Sequence, residues 1–205
     1  MLASKTRLGI PGQSGFPSVF AVPFPGSSPE EIRSLSRKAN ERLELSVEKL
    51  IRSAKQAGLR QANHQRAEGI DKLKRGDGDG AHADLDRAIE MNPKNADAYF
   101  WRGEADAKVG ELGKAVGNFK RVLVLDPERK DALYALARVY AGNREHDEAI
   151  KYLTRALHVD PDYARGTGYA QCAYANKMKG ELDAAKSDFA EACKRGTTSA
   201  CTEAR

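Results

Sequence analysis

The chain has 205 residues, enough for one sizeable domain or a short repeat array. Hydrophobic residues make up 40% and charged residues 31%, and no apolar run approaches the roughly 20 residues that a membrane-spanning helix needs. The formal net charge of +5 is uneven: residues 1–61 hold ten Lys/Arg against five Asp/Glu, and the remainder holds 24 of each. That balance argues against a nucleic-acid interface beyond residue 61, because phosphate binding needs a concentrated basic face.

Residues 1–28 hold four of the eight prolines and no acidic residue, and read as a disordered tail or a wrongly placed start. The alternative is an atypical targeting segment. The start is basic at Lys5 and Arg7, but Gly9, Pro11, Gly12, Gly15 and Pro17 break any apolar core. "SSPEE" then starts a helix: Ser28 caps it, Pro29 suits the first position and Glu31 sits three residues after the cap. Ile32, Leu35, Ala39, Leu43, Val47, Leu50, Ile51 and Ala54 recur at three- and four-residue steps. This predicts an amphipathic helix within residues 29–61, ending near Gly58. Its apolar stripe is expected to cap the array behind it; a partner-binding or membrane-surface role is the alternative.

Pro93, Pro127 and Pro161 each follow an amphipathic run and stand 34 residues apart. At the same interval Ala81, Ala115 and Ala149 coincide, as do Leu85, Phe119 and Leu153, then Ala88, Val122 and Ala156, and, in the preceding helix, Gly69, Gly103 and Ala137. Small residues recur where two antiparallel helices approach closely, and large apolar ones where one unit packs on the next. A unit this short cannot bury its apolar face alone, so stacking is obligatory. The expected units are residues 62–95, 96–129 and 130–163, an irregular fourth at 164–197, and a partial helix at 198–205. Ala149 to Ala185 is 36 residues, which predicts two inserted residues, placed near "NKMKG".

These positions resemble the tetratricopeptide repeat (TPR) family. The third unit fits best, through Leu133, Leu136, Ala137, Tyr140, Ala149, Leu153, Ala156 and Pro161. In the second, Arg102 replaces the usual leucine; in the first, Gln65 and Glu68 occupy usually apolar places. The resemblance implies an all-α, right-handed α-solenoid of antiparallel helix pairs, and a non-catalytic scaffold or adaptor that binds a peptide or helix of another protein.

In such an array the first helix of each pair lines a concave groove. The residues expected there are Arg66, Phe100, Tyr134 and Gly168; then Ile70, Glu104, Arg138 and Cys172; then Lys74, Lys108 and Gly142. Phe100 and Tyr134 would form an aromatic centre flanked by Glu104 and Arg138, suited to a protein segment. Trp101 is read as packing on the preceding helix, with partner contact as the alternative. Capture of a chaperone C-terminal carboxylate, which some TPR domains perform, is not expected: of the corresponding residues, Arg66, Ile70, Trp101, Asp131 and Ala135, only Arg66 keeps the charge.

No cofactor, metal or catalytic set is expected. The four histidines are dispersed, and "DGDGAH" fails as a calcium loop and reads as an inter-helix turn. "ACKRGTTSAC" is similar to the boundary in cysteine-bearing TPR-like repeats, which implies a Cys193–Cys201 disulfide; two buried thiols are the alternative. The compartment stays open between the cytoplasm, slightly favoured, and a periplasmic or secreted location if that disulfide forms. The competing function is attachment to an anionic polymer or membrane surface through the basic N-terminal helix.

Overall fold

The computed structural model describes residues 28–162 and 166–204; the tail reading of residues 1–27 lies outside them. The chain divides into two units, residues 1–56 and 57–205. Among the described residues all regular structure is helical: α1 (Pro29–Arg75), α2 (Gly78–Met91), α3 (Ala96–Lys108), α4 (Leu112–Leu125), α5 (Lys130–Gly142), α6 (His146–Val159), α7 (Thr167–Lys179), α8 (Leu182–Lys194) and α9 (Ala200–Glu203).

The start of α1 is a reciprocal capping box. The Ser28 amide donates to Glu31 Oε2 at 2.8 Å, and the Glu31 amide donates to Ser28 Oγ at 3.3 Å. The expected end near Gly58 is not observed; α1 runs through it to Arg75. One glycine costs a helix only about 1 kcal/mol against alanine, and the flanking residues are good helix formers with no proline among them. Nor is the apolar stripe covered: Leu35, Leu43, Val47, Leu50 and Ile51 are all exposed.

In the second unit the helices pack as antiparallel pairs, α3 on α4, α5 on α6 and α7 on α8, and each pair packs on the next. The periodic positions form the core. Ala81, Ala115, Ala149, Leu85, Phe119, Ala88, Val122 and Ala156 are completely buried. A Cβ placed on Gly69 would lie 2.8 Å from Leu85 Cγ, and one on Gly103 would lie 2.8 Å from Phe119 Cε1. Glycine at these two places is therefore a packing requirement. Pro93, Pro127 and Pro161 follow α2, α4 and α6, where a proline can neither continue the hydrogen-bond ladder nor leave its predecessor helical.

The four first-to-second helix turns close identically. The Asp77, Glu111, Glu145 and Glu181 amides donate to the carbonyls of Lys72, Asp106, Tyr140 and Asn176, at 2.9–3.0 Å. This closure needs a left-handed residue. Gly76, Gly110 and Gly180 supply it at φ 87°, 83° and 83°, but the third turn uses Arg144 at φ 62°. An L-residue pays about 1–2 kcal/mol there. Arg144→Gly is expected to stabilise the chain by about 0.5–1 kcal/mol, the entropy of the freed glycine offsetting part of the gain. Urea denaturation checks it, and a loss of stability would contradict it.

One buried position per pair varies informatively. Lys72 Nζ meets Asp84 Oδ2 at 2.6 Å between α1 and α2. Asn118 donates to Asp106 at 2.6 Å between α4 and α3, and Asn176 to Asp188 at 2.9 Å between α7 and α8. In the third pair the same position is a stack of Tyr140 on Tyr152, 5.6 Å apart and 6° from parallel. Arg102, the departure from the family pattern, belongs to the second pair. It donates twice to Asn118 Oδ1, at 3.0 and 2.8 Å, and to Asp86 at 2.5 Å.

The Tyr140/Asn176 correspondence is already offset by 36 residues, as is Leu133/Tyr169. The two extra residues therefore fall between Pro161 and Tyr169, not near "NKMKG". The α7–α8 turn copies the others, so the insertion sits in the joint between units, which no ladder constrains. Cys193 and Cys201 form a disulfide that ties α8 to α9. Cys172 is a free, buried thiol; burial, with a smaller contribution from the Asp188 carboxylate, pushes it up to about 12.

Candidate functional site

The first helices α3, α5 and α7 line a cleft of about 400 Å³. Its floor is aromatic. Phe100, Trp101 and Tyr134 are half-buried, beside Asp131, Ala135, Thr167 and Gly168. Phe100 stands edge-on to Trp101 at 5.5 Å and tilted on Phe119 at 5.7 Å, so it is anchored in the core. Trp101 packs against Leu73, Ala81 and Ala105 on one side and Leu85, Ala88 and Ala98 on the other. Its main contact is therefore the preceding helix pair, and one edge remains in the cleft. Gly168 gives Tyr134 its place: a Cβ there would lie 2.5 Å from the Tyr134 hydroxyl.

Charges cross the cleft in pairs. Arg138 of α5 donates to Glu104 of α3 at 2.6 Å. Arg66 contacts Asp97, and Arg129 bridges Asp97 at 2.7 Å and Asp131 at 2.8 and 3.0 Å. The guanidinium of Arg129 also lies 5.8 Å from the Phe100 ring centre. Those hydrogen bonds to Asp131 and Asp97 raise its pKa further, so its charge is fixed at any working pH. The row Arg66–Asp97–Arg129–Asp131 thus joins three successive units along one edge of the cleft.

The structure brings together Phe100, Trp101, Glu104, Tyr134, Arg138 and Gly168 as expected from the sequence. Arg66 lies at the edge, tied to Asp97, and Ile70 is half-buried on α1. Lys108 Nζ is 3.3 Å from the Leu73 carbonyl, which it caps. Lys74 and Gly142 are exposed. Cys172 is misplaced in the expected set: it is 4% exposed and faces the core with Leu157 and Tyr169. The insertion before Tyr169 shifts the register, so Gln171, Tyr174 and Met178 face outward instead. Tyr174 is 49% and Met178 69% exposed. These two line a second cleft of about 300 Å³, which shares Arg138 and Gln171 with the first. The groove thus runs on from α3 and α5 along α7. Counting the insertion from Pro161 would have found this extension. Nothing in the sequence marked Asp97 and Arg129.

Family models described as tetratricopeptide repeat match residues 66–113 and 107–172. Together they span more than half of the chain, and the chain belongs to the tetratricopeptide repeat family. The chain resembles the crystal structure of MamA, with a TM-score of 0.63 and 24% identity over 68% of this chain and 80% of that one. It also resembles YrrB, a TPR protein with an unusual peptide-binding site, with a TM-score of 0.61 and 22% identity over 68% of this chain and 72% of that one. A curated relative, the Protein CTR9 homolog of Arabidopsis thaliana, is 32% identical over 89 residues, 43% of this chain and 8% of its own length. The chain spans less than a fifth of the first curated relatives it matches.

TPR proteins mediate protein–protein interaction, and the repeat scaffold is generally non-catalytic. Among the described residues, no helix is long and apolar enough to cross a membrane.

Proposed function

We propose that this chain is an interaction module that holds a peptide or helix of another protein in the groove formed by α3, α5 and α7. The observation that carries the reading is the cleft itself. An aromatic floor of Phe100, Trp101 and Tyr134 is fixed by core packing, ringed by the ion pair of Glu104 and Arg138, and continued by exposed Tyr174 and Met178. Rigid aromatics at the centre and polar groups at the rim are the usual anatomy of an affinity-bearing patch. Their immobilisation is paid in folding, so a ligand meets a preformed surface. The similarity to a structure with a peptide-binding site supports the class of ligand.

The test is selection of peptides from a random display library on the full chain, followed by titration against substituted proteins. Phe100→Ala/Tyr134→Ala is expected to weaken the selected peptides by about a hundredfold, the effect of removing two hot-spot aromatics. Binding should persist in moderate salt. Peptides that bind the double variant unchanged, or that depend only on residues 29–57, would refute the groove and favour attachment through the N-terminal helix.

A further inference from the structure

Arg138 belongs to both clefts of the groove. In the first it lies with the aromatic floor; in the second it lies with Gln171, Leu153, Tyr174 and Met178. The acids of the first cleft already have partners: Asp131 takes two hydrogen bonds from Arg129, and Glu104 takes one from Arg138. Among the described residues that line the second cleft none is acidic, and Arg138 is the one guanidinium. Its side chain is 55% exposed and that of Glu104 only 29%, so the base is the more open half of the pair. A single arm of its planar fork is engaged, at 2.6 Å, which leaves donors for a second acceptor.

A segment that runs from one cleft into the other crosses Arg138 and takes it out of water. Covering a guanidinium is costly unless the covering group pairs with it. A carboxylate does so through charge-assisted hydrogen bonds, and the apolar walls on either side suit apolar side chains. We infer that the occupant is a protein segment with an acidic residue between two apolar ones. Its carboxylate sits on Arg138, one apolar side chain on the Phe100 and Tyr134 floor, and the other against Tyr174 and Met178. This rests on the groove reading and adds the chemistry of the ligand. A basic residue at the centre is the poorer fit. The carboxylate it would need, Glu104, is the more covered of the pair and already accepts from Arg138, and the described lining of the second cleft adds no other.

Peptides selected from a random display library on the full chain are expected to share Asp or Glu between two apolar positions. Replacing that acid by its amide in a selected peptide should weaken binding about tenfold. On Arg138→Gln the acid and amide forms should bind alike; the side chain is half exposed, so the thermal midpoint should stay in place. Phe100→Ala/Tyr134→Ala and the exposed Met178→Ser should each weaken both forms and preserve the ratio between them, because they remove apolar anchors and leave the charge contact. Groove-dependent peptides that bind equally as acid and amide, or that carry Lys or Arg at the central place, overturn this inference and leave the groove reading standing. A ratio that survives in Arg138→Gln overturns it as well. Peptides indifferent to Phe100→Ala/Tyr134→Ala, or a library that enriches none, overturn both.

Discussion

Phe119→Ala is expected to cost about 3–5 kcal/mol of unfolding free energy, a large share of what holds a chain of this size together. Phe119 is completely buried, fills the space that Gly103 leaves and supports the Phe100 ring. Its removal empties a cavity that helices on both sides are too constrained to close. Stability in a repeat array is close to a sum of units and their interfaces, so damage to the central unit also uncouples its neighbours. The third unit solves the same problem with Ala137 against Leu153. Grafting that solution, as Gly103→Ala/Phe119→Leu, should therefore lose much less than Phe119→Ala alone. Urea denaturation of the two variants decides the matter. A loss below about 1 kcal/mol for Phe119→Ala, or a graft no better than the truncation, would show that the glycine and the ring do not pack as a pair.

Asn118→Ala is expected to cost about 3 kcal/mol. The Asn118 amide links a carboxylate to a guanidinium: it donates to Asp106 and accepts twice from Arg102. Asp106 is only 3% exposed. With the amide gone its remaining partner is His82, whose Nε2 lies 3.3 Å away. Stranding a buried charged group costs more than the hydrogen bond that satisfied it. Asn118→Asp is expected to be nearly as damaging, since it sets two buried carboxylates together. A chemical denaturation midpoint that barely moves in either variant would mean that the network is solvated in solution.

The repeat was legible because its physics is periodic. Ala81, Ala115 and Ala149 announce themselves at a fixed interval, and each turned out to be completely buried. The first three joints were equally plain, since Pro93, Pro127 and Pro161 each end a helix. Three features were not legible, each for a separate reason. Gly58 looked like a terminator, but a glycine without capping partners is only a weak point in a helix, and α1 passes through it. The insertion was misplaced because a gap in a periodic pattern has no position until a residue on each side is assigned. The stack of Tyr140 on Tyr152 against the Asn176–Asp188 pair supplied that assignment. With the wrong register, Cys172 was drawn into the groove while Tyr174 and Met178 were overlooked. The charged row through Asp97 and Arg129 was invisible because its members come from different units, and nothing local in the sequence records which unit lies against which.

The central claim is that the groove formed by α3, α5 and α7 receives a segment of another protein. The most direct measurement is a map of backbone amide shifts in the full chain as a library-selected peptide is titrated in. The account predicts that the largest perturbations cluster at Phe100, Glu104, Tyr134, Arg138, Gln171 and Tyr174, and vanish in Phe100→Ala/Tyr134→Ala. Perturbations centred instead on the outer helices, at Lys114, Arg121 or Arg155, would contradict it.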